Sequence, residues 1–301
     1  MAIDPSDGGK VVRCRAPAKI NLYLHVLGRR SDGYHNIDSL IVFAGVSDQV
    51  SVSRSQRLGL RLAGPFAHDM ETMDWANNLV VVAARALSEV CGESPSVALS
   101  LQKNLPVAAG LGGGSSDAAA TLRALAELWT LDISDEQLRA VAEGLGADVP
   151  ACLAQNPVAV SGRGEIITQA PELPAAWLVL ANPGIPLVTA EVFRWFSPTG
   201  SQAAPLKEAP KDLGAMVEAL ARRSNDLEQP AITLVPQIAE VIEMLSKSEG
   251  CMLARMSGSG ATCFGIFSDE ASADAAAESI GNEQDTWWVS SVQMLRPGLA
   301  Q

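Results

Sequence analysis

The residues best suited to chemistry in this chain are the glycines and serines of Leu105-Pro-Val-Ala-Ala-Gly-Leu-Gly-Gly-Gly-Ser-Ser-Asp-Ala-Ala-Ala120, a loop that runs directly into a helix-forming segment. Gly110, Gly112, Gly113 and Gly114 can adopt positive φ and bring backbone N–H groups up to an anion that a Cβ would keep away. Ser115 and Ser116 follow where a helix has amides without acceptors and the positive end of its dipole. The chemistry this suggests is phosphate binding. The spacing excludes two commoner phosphate loops. No lysine follows as in Gly-x-x-x-x-Gly-Lys-Ser/Thr, and Ser115 occupies the sixth position of Gly-x-Gly-x-x-Gly. Ala118, Leu122, Leu125 and Trp129 recur at helical spacing, which a linker would not require.

Other segments add side chains that phosphoryl transfer needs. Lys19 and Asn21 lie two apart in a strand-like run, hence on one face. Taken alone, that segment reads more simply as a surface lysine at a strand start. Asp32-Gly33 forms a turn signal, after which Tyr34 and His35 put an aromatic ring beside an imidazole, a pair able to stack on and hydrogen-bond a flat heterocycle. Gly146-Ala-Asp148-Val-Pro150 offers a carboxylate in a short turn, where a solvated aspartate is the ordinary occupant. A kinase needs a group to take or orient the proton of the acceptor hydroxyl and a cation nearby, and Asp148 with Lys19 is the best pair available. Ser257-Gly-Ser-Gly-Ala-Thr262 is a second glycine loop, here leading into a strand; it could be a tight turn or a phosphate contact.

The elements that must position these groups read as strands over Val11 to Arg15, Ile20 to Leu27, Ile37 to Phe43, Val50 to Ser53 and Leu58 to Leu62. A helix over Asn78 to Val90 and a strand over Val97 to Leu101 lead into the glycine loop. In the second strand Ile20, Leu22, Leu24 and Val26 alternate with Asn21, Tyr23 and His25, the pattern of a half-buried sheet. Ser134 and Gln137 form a capping box for a helix ending near Gly144. Strands recur near residues 158–160, 166–168, 177–180, 252–256, 262–267 and 287–295, and helices near 213–221, 238–246 and 271–280. Ser197 to Pro210 reads as a surface loop. The class is α+β, with a division expected near residue 160 into segments 1–160 and 161–301.

Composition narrows the partners. The chain has 301 residues, 48% of them hydrophobic, and a formal net charge of −12, which disfavours nucleic acid and anionic membrane as partners. An anionic small substrate would need a local positive pocket. Cys14, Cys91, Cys152, Cys251 and Cys263 are scattered and form no Cys-x-x-Cys pair, so reduced thiols are expected, with no metal site. No apolar run approaches a membrane span and the opening residues are too polar for a signal peptide, so a soluble cytoplasmic protein is expected.

Three segments together, Pro17-Ala-Lys-Ile-Asn21, Leu105-Pro with Gly110 to Ala120, and Ser257-Gly-Ser-Gly-Ala261, resemble in order the three motifs of the GHMP kinases. Further marks resemble the subfamily that acts on a diphosphocytidyl polyol: Arg30-Ser-Asp-Gly-Tyr34-His35, Asn77-Asn78-Leu, Gly146-Ala-Asp148-Val-Pro150 and Ser224-Asn225-Asp226-Leu-Glu228. The resemblance implies a two-domain α+β fold with a left-handed β-α-β unit in the first domain. It implies ATP as co-substrate, with phosphates on the loop from Gly110 to Ser116 and contributions from Pro106, Gly258, Ser259 and Gly260. Asn77 and Asn78 would lie near the adenine, and Mg²⁺ would be held mainly by ATP oxygens. It makes Asp148 the general base toward a 2-hydroxyl and Lys19 its partner. Asn21 would orient the acceptor, Tyr34 and Phe193 would sandwich cytosine, and His35 would read the ring's polar edge. Monomer and homodimer both stay open. The chain departs from the family at Val107-Ala108, often Met-Gly or Met-Ala there, and at Asp117, where some members carry Asn.

Overall fold

The computed structural model describes residues 9–197 and 201–296. Its frame is a pair of long antiparallel strands, β1 (Val11–Arg29) and β2 (His35–Arg54). The sequence suggests two short strands in each place. Instead, each is continuous, β1 running through Pro17 with a register shift between Pro17 and Lys19, the kind of irregularity where proline is tolerated in a strand. Nor is β1 half-buried. Asn21, Tyr23 and His25 are as sequestered as Ile20, Leu22 and Leu24, because β1 is covered on both faces.

Around this pair the first sheet runs β3-β4-β2-β5-β6, with β1 on the other side of β2. β3 (Gly59–Ala63) and β4 (Val97–Gln102) are parallel and connected through α1 (Leu79–Cys91), which makes the β-α-β unit. α1, α2 (Gly113–Trp129), α3 (Asp135–Leu145) and α4 (Val149–Ala154) enclose one apolar core with this sheet. The capping box forms at the start of α3, Ser134 and Gln137 exchanging hydrogen bonds at 3.2 and 3.0 Å. β5 (Val158–Gly162) and β6 (Ile166–Gln169) complete the sheet.

The second sheet begins at β7 (Trp177–Asn182), so the chain changes sheet beyond the division expected at residue 160. β7 is followed by helices α5 (Thr189–Trp195), α6 (Leu213–Ala221), α7 (Glu228–Leu234) and α8 (Gln237–Lys247). β8 (Leu253–Met256), β9 (Cys263–Phe267), α9 (Glu270–Glu283) and β10 (Trp288–Gln293) complete the order β10-β7-β9-β8, antiparallel throughout. Part of the expected surface loop 197–210 turns inward: Leu206 is buried in the core between the sheets and the Ala204 N–H donates to Asp38 at 2.6 Å. Residues 198–200 of that loop lie outside the described residues.

β1 threads three apolar clusters. Val12 and Ala16 belong to the core under α2, and Ala18, Ile20 and Leu22 to a middle core shared with Leu178, Leu180 and Phe264. Leu24 and Val26 belong to a third core with α7 and α8. Both halves of the molecule therefore meet on the strand that carries Lys19 and Asn21.

Candidate active site

The glycine loop ends at Gly112, which caps α2 in the left-handed region at φ 59°, with no side-chain cap among the described residues. The first intrahelical bond at this end is Ser116 N–H to Gly112 O at 2.9 Å, which leaves the N–H groups of Gly113, Gly114 and Ser115 for an anion. Gly112 has a second reason to be glycine, since a Cβ there would lie 2.7 Å from Lys19 Cε. Two bonds fix the loop to β1: Lys19 N–H to Leu111 O at 2.8 Å and Ser116 Oγ to Pro17 O at 2.7 Å.

Lys19 is nearly sealed. Its side chain is 5% exposed, and its Nζ stands 3.1 Å from Asp148 Oδ2 and donates to Asn21 Oδ1 at 2.9 Å. Asn21 is held in turn by Ser39, whose Oγ accepts from Nδ2 at 2.8 Å, and by Ser257 Oγ, which accepts from its backbone N–H at 3.1 Å. Asp148 precedes α4 without capping it, so its carboxylate is free of helix duty, and its side chain is 44% exposed. A buried ammonium thus holds a carboxylate that an incoming hydroxyl can reach. One turn further, burial and the charge of Asp148 push the Cys152 thiol up to about 12, which leaves it unreactive beside the site.

The two glycine loops lock together. Ser257 Oγ donates to Gly110 O at 3.2 Å and Thr262 N–H to Ala109 O at 3.1 Å, and a Cβ on Gly110 would fall 2.5 Å from Ser257 O. Asn225 steadies the second loop by donating to Met256 O and Gly258 O, both at 2.8 Å, while Glu228 accepts from the Met256 N–H at 3.0 Å. The segment Ser224 to Glu228, which the sequence marks without a role, is therefore the clamp on this loop.

The cradle, Lys19, Asn21, Asp148 and the second loop at Gly258 and Ser259 open onto one cleft of about 1210 Å³. Of the residues expected from the sequence, the cleft is lined by Lys19, Asn21, Tyr34, His35, Asn77, Asn78, Pro106, Gly110, Gly112, Gly113, Gly114, Ser115, Asp148, Phe193, Gly258 and Ser259. Ser116 and Gly260 do not line it. Ser116 is turned inward to Pro17, and Gly260 packs where a Cβ would meet Met256 Sδ at 2.6 Å. Asn78 lines the cleft while its Oδ1 caps α1 by accepting from the Val80 N–H at 3.0 Å.

At the far end His35 stacks on Phe193, with centroids 5.1 Å apart and planes at 24°, and meets Phe196 edge-on at 6.0 Å. Burial, with Arg29 nearby, holds the imidazole below its ordinary value, so it is neutral at pH 7. Tyr34 is 58% exposed, and the Arg163 guanidinium lies 5.4 Å from its ring centroid. Arg29, Arg163 and Arg194 line this end and supply, within an acidic protein, the local positive pocket that an anionic substrate requires. Sequence reasoning missed them because no motif or spacing marks them, Arg163 lying in a polar turn and Arg194 between Phe193 and Trp195. It also missed Lys103, which lines the cleft behind the glycine loop.

Comparisons with known proteins agree with this geometry. The family model described as GHMP kinases N terminal domain matches residues 78–156, and that described as GHMP kinases C terminal matches residues 204–285. The chain is 49% identical over 280 residues to a 4-diphosphocytidyl-2-C-methyl-D-erythritol kinase of Paramagnetospirillum magneticum, covering 93% of this chain and 97% of that protein. It is 46% identical to the kinase of the same name from Rhodospirillum rubrum, covering 93% and 91%. Among solved structures, a 4-(cytidine 5'-diphospho)-2C-methyl-D-erythritol kinase superposes with a TM-score of 0.77 at 34% identity, over 93% of this chain and 98% of that one. The mevalonate kinase of L. major, at 14% identity and TM-score 0.72 over 98% and 99%, shares the fold.

Proposed function

The chain belongs to the GHMP kinases, and on that premise we propose that it transfers the γ-phosphoryl group of ATP to the 2-hydroxyl of 4-diphosphocytidyl-2-C-methyl-D-erythritol. This is the kinase step of the methylerythritol phosphate route to isoprenoid precursors. The observation that carries the reading is the buried Lys19 poised on a reachable Asp148 at the edge of a cradle of open amides.

In this reading the 2-hydroxyl attacks the γ-phosphorus in line. The new O–P bond forms as the bond to the β-phosphate bridging oxygen breaks, ADP leaves, and Asp148 takes the hydroxyl proton. Lys19 pairs with the Asp148 carboxylate and faces the transferring group, while Asn21 fixes the lysine's aim. Most of the acceleration would then come from positioning and fixed charge. The cradle fits a triphosphate, since positive φ at Gly110 and Gly112 exposes amides that no side chain caps. The donor set fits Mg²⁺ carried on ATP, because Asp148, the one well-exposed carboxylate of the cleft among the described residues, is already paired with Lys19. Tyr34, His35 and Phe193 form an aromatic end suited to cytosine, and the arginines suit its diphosphate. Ser116 and Gly260 take supporting roles, holding the loops without touching nucleotide.

A cytoplasmic enzyme that acts as a monomer or homodimer, with no nucleic-acid or membrane partner, completes the proposal. No helix among the described residues is long and apolar enough to cross a membrane. The test is ADP release from Mg-ATP with the cytidylyl substrate against homoserine, mevalonate and galactose, with the product examined by phosphorus NMR. Turnover confined to the cytidylyl substrate, giving a 2-phosphomonoester, is the expected result. Equal turnover with a simple alcohol would refute the substrate assignment, and ATP binding without any product would point to an idle nucleotide binder.

A further inference from the structure

Behind the glycine loop lies a charged group that the reaction above does not use. Lys103, in the segment after β4, donates to Asp48 on β2 and to Asp117 on α2, the latter at 2.8 Å. The three side chains are between 0% and 3% exposed. Asp48 is fully engaged, since its other oxygen accepts from the N–H groups of Asn104 and Leu105 at 2.6 and 2.9 Å. Asp117 is not. Its Oδ2 meets Lys103, but its Oδ1 is buried and has no partner among the described residues.

The charges do not balance: two carboxylates share one ammonium away from water. Burial works against the Lys103 ammonium, yet Asp117 and Asp48 beside it hold it above the ordinary lysine value, so it stays charged. An ionised, unpartnered carboxylate oxygen is costly in such a place and a proton on it is the inexpensive remedy. Burial, with Asp48 adding to it against the pull of Lys103, raises the Asp117 carboxyl to about 7. The group stands directly behind the cradle. Lys103 and Asp117 are part of the cleft wall, and a Cβ on Gly113 would lie 3.0 Å from Lys103 Nζ. Other charges are more remote: Lys19 on β1 and Asp148 before α4 lie past Gly112. α1, packed on α2, contributes the apolar Val80, Ala83, Ala84 and Leu87 to the core between them.

We propose that Asp117 holds a proton when the triphosphate lies on the loop, so that nucleotide binding and proton uptake at this buried carboxyl are one linked event. The inference rests on reading the loop as the nucleotide's phosphate site. Phosphate oxygens at the amides of Gly113 to Ser115 add negative charge one helical turn from Asp117, which favours its neutral form. The sign follows. Below about pH 7 Asp117 is already protonated and affinity is indifferent to pH; above it, each binding event must draw in a proton, and affinity falls as pH rises. Asp117 is here a positioning residue that leaves the reacting atoms untouched.

Calorimetric titration of ATP at pH 8, in two buffers of different ionisation enthalpy, counts the protons exchanged. Asp117→Asn keeps the shape and the bond from Lys103 but cannot titrate, and subtracting it removes the titration of the nucleotide's own phosphate. Wild type should take up more protons than the variant, by an amount approaching about one. KM for ATP should climb between pH 7 and 8.5 in wild type, by at most about tenfold per pH unit, and run flatter in the variant. A purely structural Asp117 would shift KM equally at every pH. Infrared difference spectra of wild type should gain a protonated-carboxyl band on adding ATP; absence of that band overturns the proposal even if the variant fails to fold. ATP binding with equal proton uptake in both proteins overturns the linkage alone, whereas no ATP binding at any pH overturns the nucleotide reading with it.

Discussion

Asp148 combines two properties that conflict at most sites, a firm partner and access to the outside, and its neighbours divide the work. Lys19 supplies the charge and is itself aimed by Asn21, so the carboxylate needs no further support. Asp148→Asn preserves shape and removes the proton acceptor. Turnover should drop by about 10² to 10⁴ with ATP affinity little altered, which steady-state kinetics and a nucleotide titration will check. If turnover is unchanged, Asp148 takes no proton. At the other end Tyr34→Ala should raise KM for the cytidylyl substrate by about tenfold, the worth of one good aromatic contact, while KM for ATP holds. Equal effects on both would mean that Tyr34 shapes the cleft as a whole. These residues were legible in the sequence because each sits in a short motif: a lysine two before an asparagine, an aromatic beside a histidine, an aspartate before Val-Pro. The Lys103 group was not, since its partners lie 14 and 55 residues away and meet only in the fold, and the arginines were not, since no motif marks them.

At the scale of elements, α2 is the decisive piece, and its N-terminus is oriented by contacts to its neighbours more than by its own sequence. Gly110→Ala tests this. The positive φ alone costs about 1–2 kcal/mol, and the added Cβ would collide with the backbone of residues 257–260. Thermal unfolding should shift downward and ATP affinity should fall together; loss of stability with affinity intact would show that the interlock of the two loops does not shape the cradle. Ser116→Ala removes the bond to Pro17 O and the contact with the Cys152 thiol and should cost about 1 kcal/mol in chemical denaturation, with a smaller effect on ATP binding than Gly110→Ala. An effect as large would return Ser116 to the phosphate site. Helix α2 and the capping box of α3 could be read from periodicity and caps. The joining of four short strands into β1 and β2 could not, because a proline and polar residues interrupt the alternation, and only packing on both faces explains why the strand continues through them.

Over the whole molecule, the two sheets share the middle core through β1, and the site lies where they meet. Nucleotide should therefore stabilise the entire chain. ATP at about a hundred times its Kd should add about 2.7 kcal/mol and raise a single unfolding transition; two transitions, of which only one moves, would show halves that unfold apart. The α+β class was legible from the order of strands and helices and the family fold from the three motifs in order, but the change of sheet after β6 was not, because β5 and β6 resemble the strands on either side of them. The bond from the Asn21 N–H to Ser257 spans 236 positions, which has a consequence during synthesis. At roughly 5–20 residues per second, the lysine and asparagine leave the ribosome on the order of 10 to 50 seconds before the serine that completes their setting. Through that interval the emerging chain has no finished nucleotide site, so ATP in the cell can steady the enzyme only once nearly all of it has been made.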